Sequence, residues 1–588
     1  MKTIKKLFFI TLLLILPFSL CSCNFSQKEL DPETFDNYTR ELFYLIMGDD
    51  EFTNHFLFKN PENYGLKENS NISLPTPSVT NNLSKLLINS FFKDLKRYDY
   101  EKLNFDQQMT YNILTDLIDN INSKTKEMSY LDSSYLGSYL GYQAQLPLLL
   151  YEYDFADIND IQNYFSFIDL VPETFKSYVD FEIEKSQNGY GMPDFVINNV
   201  IEQCNEFISD IDNHFLIKTF PERLNSLTHQ LDNFTKNKLI ETNINKIKGP
   251  LLEGYTYIKD NITSLYGKST NNLGLYYYKE GKDYYTQIFK KETGYDIKIE
   301  NAILYIENKL NNSYNNLITL VQNNPDLINK LNSSSLLKTT PLEQINIFKE
   351  NIKNSFPQIE SYPDITIKYI DKSMENHFSP AAYINSAIDD LSNEFIYLND
   401  ASIKNDFNYL YHTLAHEGIP GHLYQNVYFK QQDTNIIRKV LKSSGYTEGW
   451  ATYAEIYSFN FYSDEDKLVA EYLKLNKEVI GALQCRLDMG IHYEGWDVNK
   501  VLQYLNKYSK NYTLESAQDI LEQLIEIPTN SQKYYFTYFK ITDMYTRTQN
   551  ALKNNFNELE FHTLLLNCGP VPLRYIEDIV DNYIAENK

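Results

Sequence analysis

The sequence predicts a mainly α-helical protein. Residues 299–321 and 464–483 place apolar side chains three and four positions apart, with acidic residues and asparagines between them, which is the period of an amphipathic helix. The 588 residues include only 20 glycines and 19 prolines, so long segments contain no helix-breaking residue. The composition, 43% hydrophobic and 22% charged, is that of a globular protein with a large core. The number of domains stays open, because no stretch after residue 30 has the composition of a linker.

The N-terminus has the pattern of an export signal. Three lysines within the first six residues precede an apolar run at 7–20, which at 14 residues is too short to span a bilayer. The residues that end this region, Leu20-Cys21-Ser22-Cys23, resemble a bacterial lipobox. We therefore expect removal of residues 1–22 and a lipid on Cys23 that anchors residues 23–588 to the membrane of the bacterial cell envelope. The alternative is an ordinary secretory signal in which both cysteines are incidental.

The charge of the chain argues against a nucleic-acid partner. Lysine and arginine number 54 and aspartate and glutamate 78, so the net charge is 54 − 78 = −24. Such a surface repels phosphate backbones, and no basic run offsets it. The cysteines beyond the signal, Cys204, Cys485 and Cys568, are too far apart to form a disulfide framework or a metal-binding pair, so we expect core thiols.

Two short segments lie outside the helical pattern. The run Gly-Tyr-Gly-Met-Pro at 189–193 predicts a turn after which Pro193 opens a helix. The run Glu-Phe-Ile-Tyr-Leu-Asn at 394–399 is aromatic and β-branched between polar ends, and predicts a strand. This strand lies just upstream of the richest chemistry in the chain.

Five of the nine histidines lie between residues 377 and 492, and the most informative are in the segment Tyr-His-Thr-Leu-Ala-His-Glu-Gly-Ile-Pro-Gly-His at 411–422. Catalytic zinc sites use two neutral imidazoles, a third protein ligand and a carboxylate that takes a proton from water. His416, Glu417 and His422 supply three of these groups. In a regular helix, a spacing of six would place the two rings about 120° and about 9 Å apart. Pro420 lacks an amide and Gly421 tolerates backbone angles closed to other residues, so together they predict a bulge that brings the rings together.

Two alternatives remain for this segment. His412 and His416 have the ideal four-residue spacing for a shared metal ion, but this pair would place the acid beyond the second ligand and leave Pro-Gly-His unexplained. The other alternative is a helix that ends at Pro-Gly and carries surface histidines.

The third ligand is expected on a following helix, in the segment Glu-Gly-Trp-Ala-Thr-Tyr-Ala-Glu at 448–455. Glu448 is our predicted metal ligand. Glu455, seven residues later and on the same helix face, is predicted to steady a ligand imidazole. Either carboxylate could instead be merely solvated.

A third cluster spaces Asp488 and His492 four residues apart. Asp488 could orient His492 as a group that stabilises a developing oxyanion. An exposed ion pair between the two side chains fits the spacing equally well.

Three motifs thus follow one another: His-Glu-x-x-Pro-Gly-His at 416–422, Glu-Gly-Trp-Ala-x-Tyr-Ala-Glu at 448–455 and Arg-x-x-x-Gly-x-His-x-x-x-Trp at 486–496. In this order they resemble the bacterial DUF885 family, which looks like a branch of the zinc-dependent, gluzincin-like HExxH peptidases. The resemblance covers at least residues 274–573. One departure is Thr537, which stands where family members often carry glycine, close to Tyr534.

The resemblance implies a mainly α fold with two lobes, a deep central cleft, and a small β element near the site whose residues 395–398 form an edge for extended substrate. It implies one zinc ion and motifs concentrated in 377–573. It also implies Glu417 as general base, Tyr534 or His492 as the oxyanion donor, and Arg486 and His562 as weaker supporting residues. The expected function is zinc-dependent hydrolysis of short peptides. A catalytically silent lipoprotein that binds peptides or glycans is the alternative, and structural zinc is a third possibility.

Overall fold

The computed structural model describes residues 29–588, except 49, 67–71, 81, 133–134, 228–230, 334–338, 371, 373–374, 376–378, 404–406 and 463–465. The predicted signal, the lipidation site at Cys23, and His377 lie outside the described residues. Helices dominate the described chain, which confirms the predicted fold class.

The helices of the first half follow one another in short connections. They are α1 (Phe35–Met47), α2 (Glu51–Leu57), α3 (Asn82–Phe92), α4 (Phe105–Ser123), α5 (Lys126–Leu131), α6 (Tyr142–Glu152), α7 (Ile158–Gln187), α8 (Asp194–Ser209), α9 (Phe215–Lys218), α10 (Phe220–Arg223), α11 (Asn233–Lys246), α12 (Leu252–Ile262), α13 (Gly281–Thr293), α14 (Ile299–Asn323), α15 (Leu327–Ser333) and α16 (Pro341–Asn351).

The second half begins with three strands and returns to helices. These elements are β1 (Asp364–Tyr369), β2 (Ala381–Ile384), β3 (Asn393–Leu398), α17 (Asp400–Ile403), α18 (Phe407–Glu417), α19 (His422–Lys430), α20 (Ile436–Val440), α21 (Ser444–Tyr457), α22 (Lys467–His492), α23 (Val498–Leu505), α24 (Leu514–Glu526), a π-helical turn (Gln532–Phe536), α25 (Thr537–Leu552), α26 (Glu558–Cys568) and α27 (Leu573–Asn587).

The elements predicted from periodicity are present. The segment 299–321 lies within α14, and most of 464–483 lies within α22. These two long helices pack against each other, because each turns its apolar stripe toward the same core. Pro193 caps the start of α8, as predicted for a proline at a helix entrance.

The three strands form one sheet in the order β1-β3-β2. β3 pairs in parallel with β1 and antiparallel with β2, so Ile396 lies between Ile367 and Tyr383. The prediction that residues 395–398 form a free edge is therefore wrong, because β3 is hydrogen-bonded on both sides. The strand beside the candidate site is β2, which contacts α18.

The buried apolar side chains form three clusters. The largest contains the C-terminal helices, including the apolar faces of α18 and α21. The second lies among residues 52–265, and the third joins the first helices to Ile437 of α20. All three cysteines in the described chain are buried and free, in agreement with the predicted core thiols. None of the described helices has the length and apolar character needed to cross a membrane.

Candidate metal centre

The histidine motif is divided between two helices. α18 ends at Glu417, α19 begins at His422, and the four residues between them contain a cis peptide bond before Pro420. The indole N–H of Trp450 donates to the carbonyl of Pro420 over 2.9 Å, which attaches this turn to α21. The sequence predicts a bulge within one helix, whereas the structure has two helices with a complete break between them. The two rings still come together as predicted. Because His422 begins a new helix with its own axis, its position relative to His416 is not set by the six-residue spacing within one helix.

Gly421 is needed at this turn because the backbone of α18 approaches it closely. A Cβ atom there would lie 1.8 Å from the carbonyl oxygen of His416 and 2.4 Å from that of Ala415. Its φ is −80°, outside the left-handed region, so a side chain is excluded by space rather than by the positive φ for which glycine is usually kept.

His416, His422 and Glu448 converge. The Nε2 atoms of His416 and His422 lie 3.9 and 3.3 Å from Oε2 of Glu448, and the two imidazole rings are 4.8 Å apart at 87°. Within the described part of the chain, this is the group of three side chains whose donor atoms could hold a metal ion, all within 4.8 Å of one another.

The donor set fits zinc. Two imidazole nitrogens and one carboxylate oxygen are a common ligand set of catalytic zinc sites, and tetrahedral bonds of 2.0–2.1 Å separate neighbouring ligand atoms by about 3.3 Å. Oε2 of Glu448 is buried and makes no hydrogen bond of good geometry to any described residue, as expected for an atom that binds a cation. Burial raises the pKa of Glu448, but the neighbouring imidazoles of His422 and His416 outweigh it and lower that pKa to about 2. The carboxyl group is therefore ionised at neutral pH.

Glu455 holds the other side of His416. Its Oε2 lies 3.1 Å from Nδ1 of His416, so an N–H at Nδ1 would leave Nε2 free for a metal ion. Burial lowers the pKa of His416, but the hydrogen bond to Glu455 and the nearby carboxylates raise it overall to about 9. A metal ion on Nε2 would take the place of a proton there.

The alternative ligand His412 faces Glu455. Its Nδ1 lies 2.8 Å from Oε1 of that residue, and the same oxygen forms an ion pair with Lys477 of α22. His412 does not join the group around Glu448. The structure therefore does not support His412 and His416 as the two histidine ligands.

Glu417 and Tyr534 flank the three candidate ligands. The backbone N–H of Tyr383 in β2 donates to Oε2 of Glu417 over 2.9 Å, which holds this carboxylate beside α18. The phenol ring of Tyr534, in the π-helical turn, stacks near His416 with centroids 6.2 Å apart. Burial, and then the charges of Glu448 and Glu417, raise the pKa of Tyr534.

The prediction that Asp488 orients His492 is wrong. The ring of His492 is 1% exposed, its Nδ1 accepts from the N–H of Leu275 over 3.1 Å, and its Nε2 donates to the carbonyl of Leu524 over 2.8 Å. Asp488 instead accepts from Tyr285 and from the backbone N–H of Thr529. His492 has no N–H left for an oxyanion, because backbone groups use both ring nitrogens.

Arg486 and His562 also serve the packing of the fold. Arg486 forms ion pairs with Glu307 and Glu494, each at 2.7 Å. His562 is fully buried, where its Nδ1 donates to the carbonyl of Ser355 over 2.6 Å and its Nε2 lies 2.9 Å from the hydroxyl of Tyr453. Burial lowers the pKa of His562 to about 4. A substrate contact by His562 is therefore excluded in this conformation.

Sequence reasoning missed Tyr383 and Lys477. Tyr383 acts through its backbone on a residue 34 positions later, and Lys477 reaches Glu455 from a different helix. Neither contact follows from a spacing within one helix, so no local pattern could have identified them.

The fold and this site define a helical protein with a candidate metal centre, and its family follows from sequence similarity. The model of the family described as "Bacterial protein of unknown function (DUF885)" matches residues 65–580. The chain therefore belongs to the DUF885 family.

Two solved structures share the fold. A protein from Colwellia psychrerythraea, provisionally described as a lipoprotein, aligns with a TM-score of 0.78 and 14% identity over 94% of this chain and 98% of its own. One from Shewanella oneidensis, provisionally described as a lipoprotein of unknown function, has a TM-score of 0.60 and 14% identity, covering 94% of this chain and 99% of its own. A comparison with curated proteins gave no match.

Proposed function

We propose that this protein is a zinc-dependent peptidase. The observation that carries the proposal is the convergence of His416, His422 and Glu448, with Glu417 as the next residue after the first ligand. A zinc ion held by these three side chains would polarise the scissile carbonyl and lower the pKa of water to about 7. The described chain offers three donors at this place, whereas structural zinc sites are usually closed by four.

Glu417 would move the proton. Its carboxylate lies on the helix that carries His416, and the N–H of Tyr383 fixes its orientation. It would accept a proton as water attacks and deliver that proton to the leaving amine, a role that typically contributes 10²–10⁴-fold in rate.

Tyr534 would donate to the oxyanion. Its raised pKa keeps the phenol protonated at neutral pH, so the hydroxyl can donate a hydrogen bond. One such donor typically contributes about 3 kcal/mol to transition-state stabilisation. Extended substrate would run along β2, the strand nearest Glu417, in place of β3.

We also infer an exported protein anchored by a lipid on Cys23. The support is the lipobox-like sequence at 20–23 together with two structural neighbours that are provisionally described as lipoproteins. The membrane would then be a partner through the acyl chains alone.

Peptide cleavage by the zinc-loaded protein tests the proposal. The wild type should bind one zinc ion per chain and cut members of a mixed peptide library, and a chelator should stop the cleavage. Glu417→Gln should keep the zinc ion while cleaving at least about a hundredfold more slowly, because the proton acceptor is lost. Glu471→Gln, a change at an exposed residue of α22, is the matched control and should cleave as the wild type does.

Two results would contradict the proposal. Near-normal cleavage by Glu417→Gln would remove Glu417 from the mechanism. Binding of peptides without any cleavage by the zinc-loaded wild type would favour the silent binding lipoprotein.

A further inference from the structure

A cavity of about 480 Å³ lies against the π-helical turn that carries Tyr534. Its walls come from the start of α8, the ends of α5 and α13, and the connection between α24 and the π-helical turn, and they combine apolar side chains with tyrosine hydroxyls and amides. Its volume lies within the range of small-ligand sites, about 300–1,000 Å³.

The charged side chains of this cavity, with one exception, are engaged with other groups of the protein. Asp132 pairs with Lys124, Lys185 with Glu182, and Lys291 with Glu292. Glu526 accepts from the backbone N–H groups of Ser138 and Tyr139. The exception is Lys533, whose ammonium group has no carboxylate within ion-pair distance among the described residues.

Lys533 also lies close to the candidate metal centre. It precedes Tyr534 in the chain, and its Nζ is 5.3 Å from the centroid of the Tyr534 ring. Its charge is among those that act on Glu448. A half-buried cation without a carboxylate partner thus lies between a cavity and the predicted metal ligands.

We propose that Lys533 binds the C-terminal carboxylate of a peptide substrate, whose last residues occupy this cavity. The inference rests on the proposed function, because it places in this cavity the substrate residues on the C-terminal side of the cut bond. A peptide carboxylate would form the direct ion pair that no described residue makes with Lys533, and the apolar and tyrosine walls suit peptide side chains. The substrates are then peptides with a free C-terminus, from which short C-terminal fragments are released.

Binding to zinc-loaded Glu417→Gln protein, in which turnover is suppressed, tests this inference. Three versions of one short peptide are compared: the free acid, the C-terminal amide, and the amide with glutamate as its last residue. The free acid should bind at least about tenfold more tightly than either amide. The third peptide separates a terminal carboxylate from a side-chain carboxylate.

Variants at Lys533, made in the same protein, assign the effect. Lys533→Met should reduce binding of the free acid to the level of the amide, while Lys533→Arg should retain the preference. Lys291→Met, which removes a cation of the same cavity that is already paired, should keep the preference. Zinc content and near-ultraviolet circular dichroism of each variant establish that the site and the fold are intact.

Equal binding of acid and amide by the parent protein would overturn the inference, as would a preference that survives Lys533→Met. Equal binding of the acid and of the amide ending in glutamate would also overturn it, because the terminus would not be the group recognised. These measurements do not depend on cleavage. A protein that prefers the free acid but cuts no peptide fails the proposed function and retains the carboxylate site.

Discussion

Glu455 fixes the orientation of His416, one of the proposed metal ligands. Its two oxygens lie 3.1 Å from Nδ1 of His416 and 2.8 Å from Nδ1 of His412. It is buried, and its pKa stays well below the usual value because Lys477 and the two histidines outweigh the effect of burial. The charge is therefore permanent at physiological pH, and it fixes the ring orientation that points Nε2 of His416 toward Glu448.

Glu455→Gln should weaken zinc binding about 10–100-fold, which is the usual effect of losing such a supporting carboxylate. The amide can still accept a hydrogen bond, but it no longer supplies the charge that makes the imidazole a strong ligand. Competition with a chelator of known affinity measures the change.

The control for this prediction is Glu494→Gln. Glu494 pairs with the buried Arg486, so the variant removes a comparable charge from a place that does not contact the ligands. It should bind zinc with wild-type affinity. Wild-type affinity in Glu455→Gln would show that Glu455 does not support the metal ligand.

At the scale of the elements, the break between α18 and α19 is what brings His422 to His416. Gly421→Ala places a methyl group 1.8 Å from the carbonyl of His416, so the two helices must move apart. We expect the free energy of unfolding to fall by about 1–3 kcal/mol, as at other overpacked sites. We also expect weaker zinc binding. Urea unfolding and zinc titration measure the two effects.

Gly249→Ala is the matched control for the glycine substitution. Gly249 lies in the helical turn Ile247–Leu251, far from the α18–α19 break in sequence, and a Cβ atom added there meets nothing within 4 Å. Its stability and zinc affinity should stay near those of the wild type. If both alanine variants behaved alike, close contact at residue 421 would not be what positions the ligands.

The elements show which features of this protein could be predicted from sequence. The long helices follow from the periodicity of their apolar residues, and β3 follows from its aromatic and β-branched composition. The convergence of His416 and His422 follows from the spacing that Pro420 and Gly421 interrupt. β2 is only four residues long and lacks an alternating pattern, so its position beside Glu417 could not be seen. The four-residue spacing of Asp488 and His492 is common to all pairs on one helix face and does not identify a hydrogen bond. Their actual partners depend on how α22 packs against the rest of the fold.

At the scale of the whole molecule, α20 joins distant parts of the chain. Ile437 belongs to the cluster formed by the first helices, and the neighbouring Arg438 is 1% exposed. Its guanidinium pairs with Asp106 of α4 over 2.5 Å and donates to the carbonyl of Cys568 at the end of α26. One side chain thus links the N-terminal helices to the helices that surround the candidate metal centre.

Arg438→Met should therefore destabilise the protein as a whole. Removing one partner of a buried ion pair typically costs about 3–5 kcal/mol, and we expect the lower end because the Asp106 side chain is 27% exposed and water can solvate it. Arg547→Met is the control, since Arg547 is 41% exposed and pairs with Glu577 and Asp581 at the surface, where an ion pair contributes about 0–1 kcal/mol. Urea unfolding, monitored by circular dichroism, gives the free energy of unfolding of both variants. A larger loss in Arg438→Met than in Arg547→Met supports the link. Equal losses would mean that the three hydrophobic clusters are held together without Arg438.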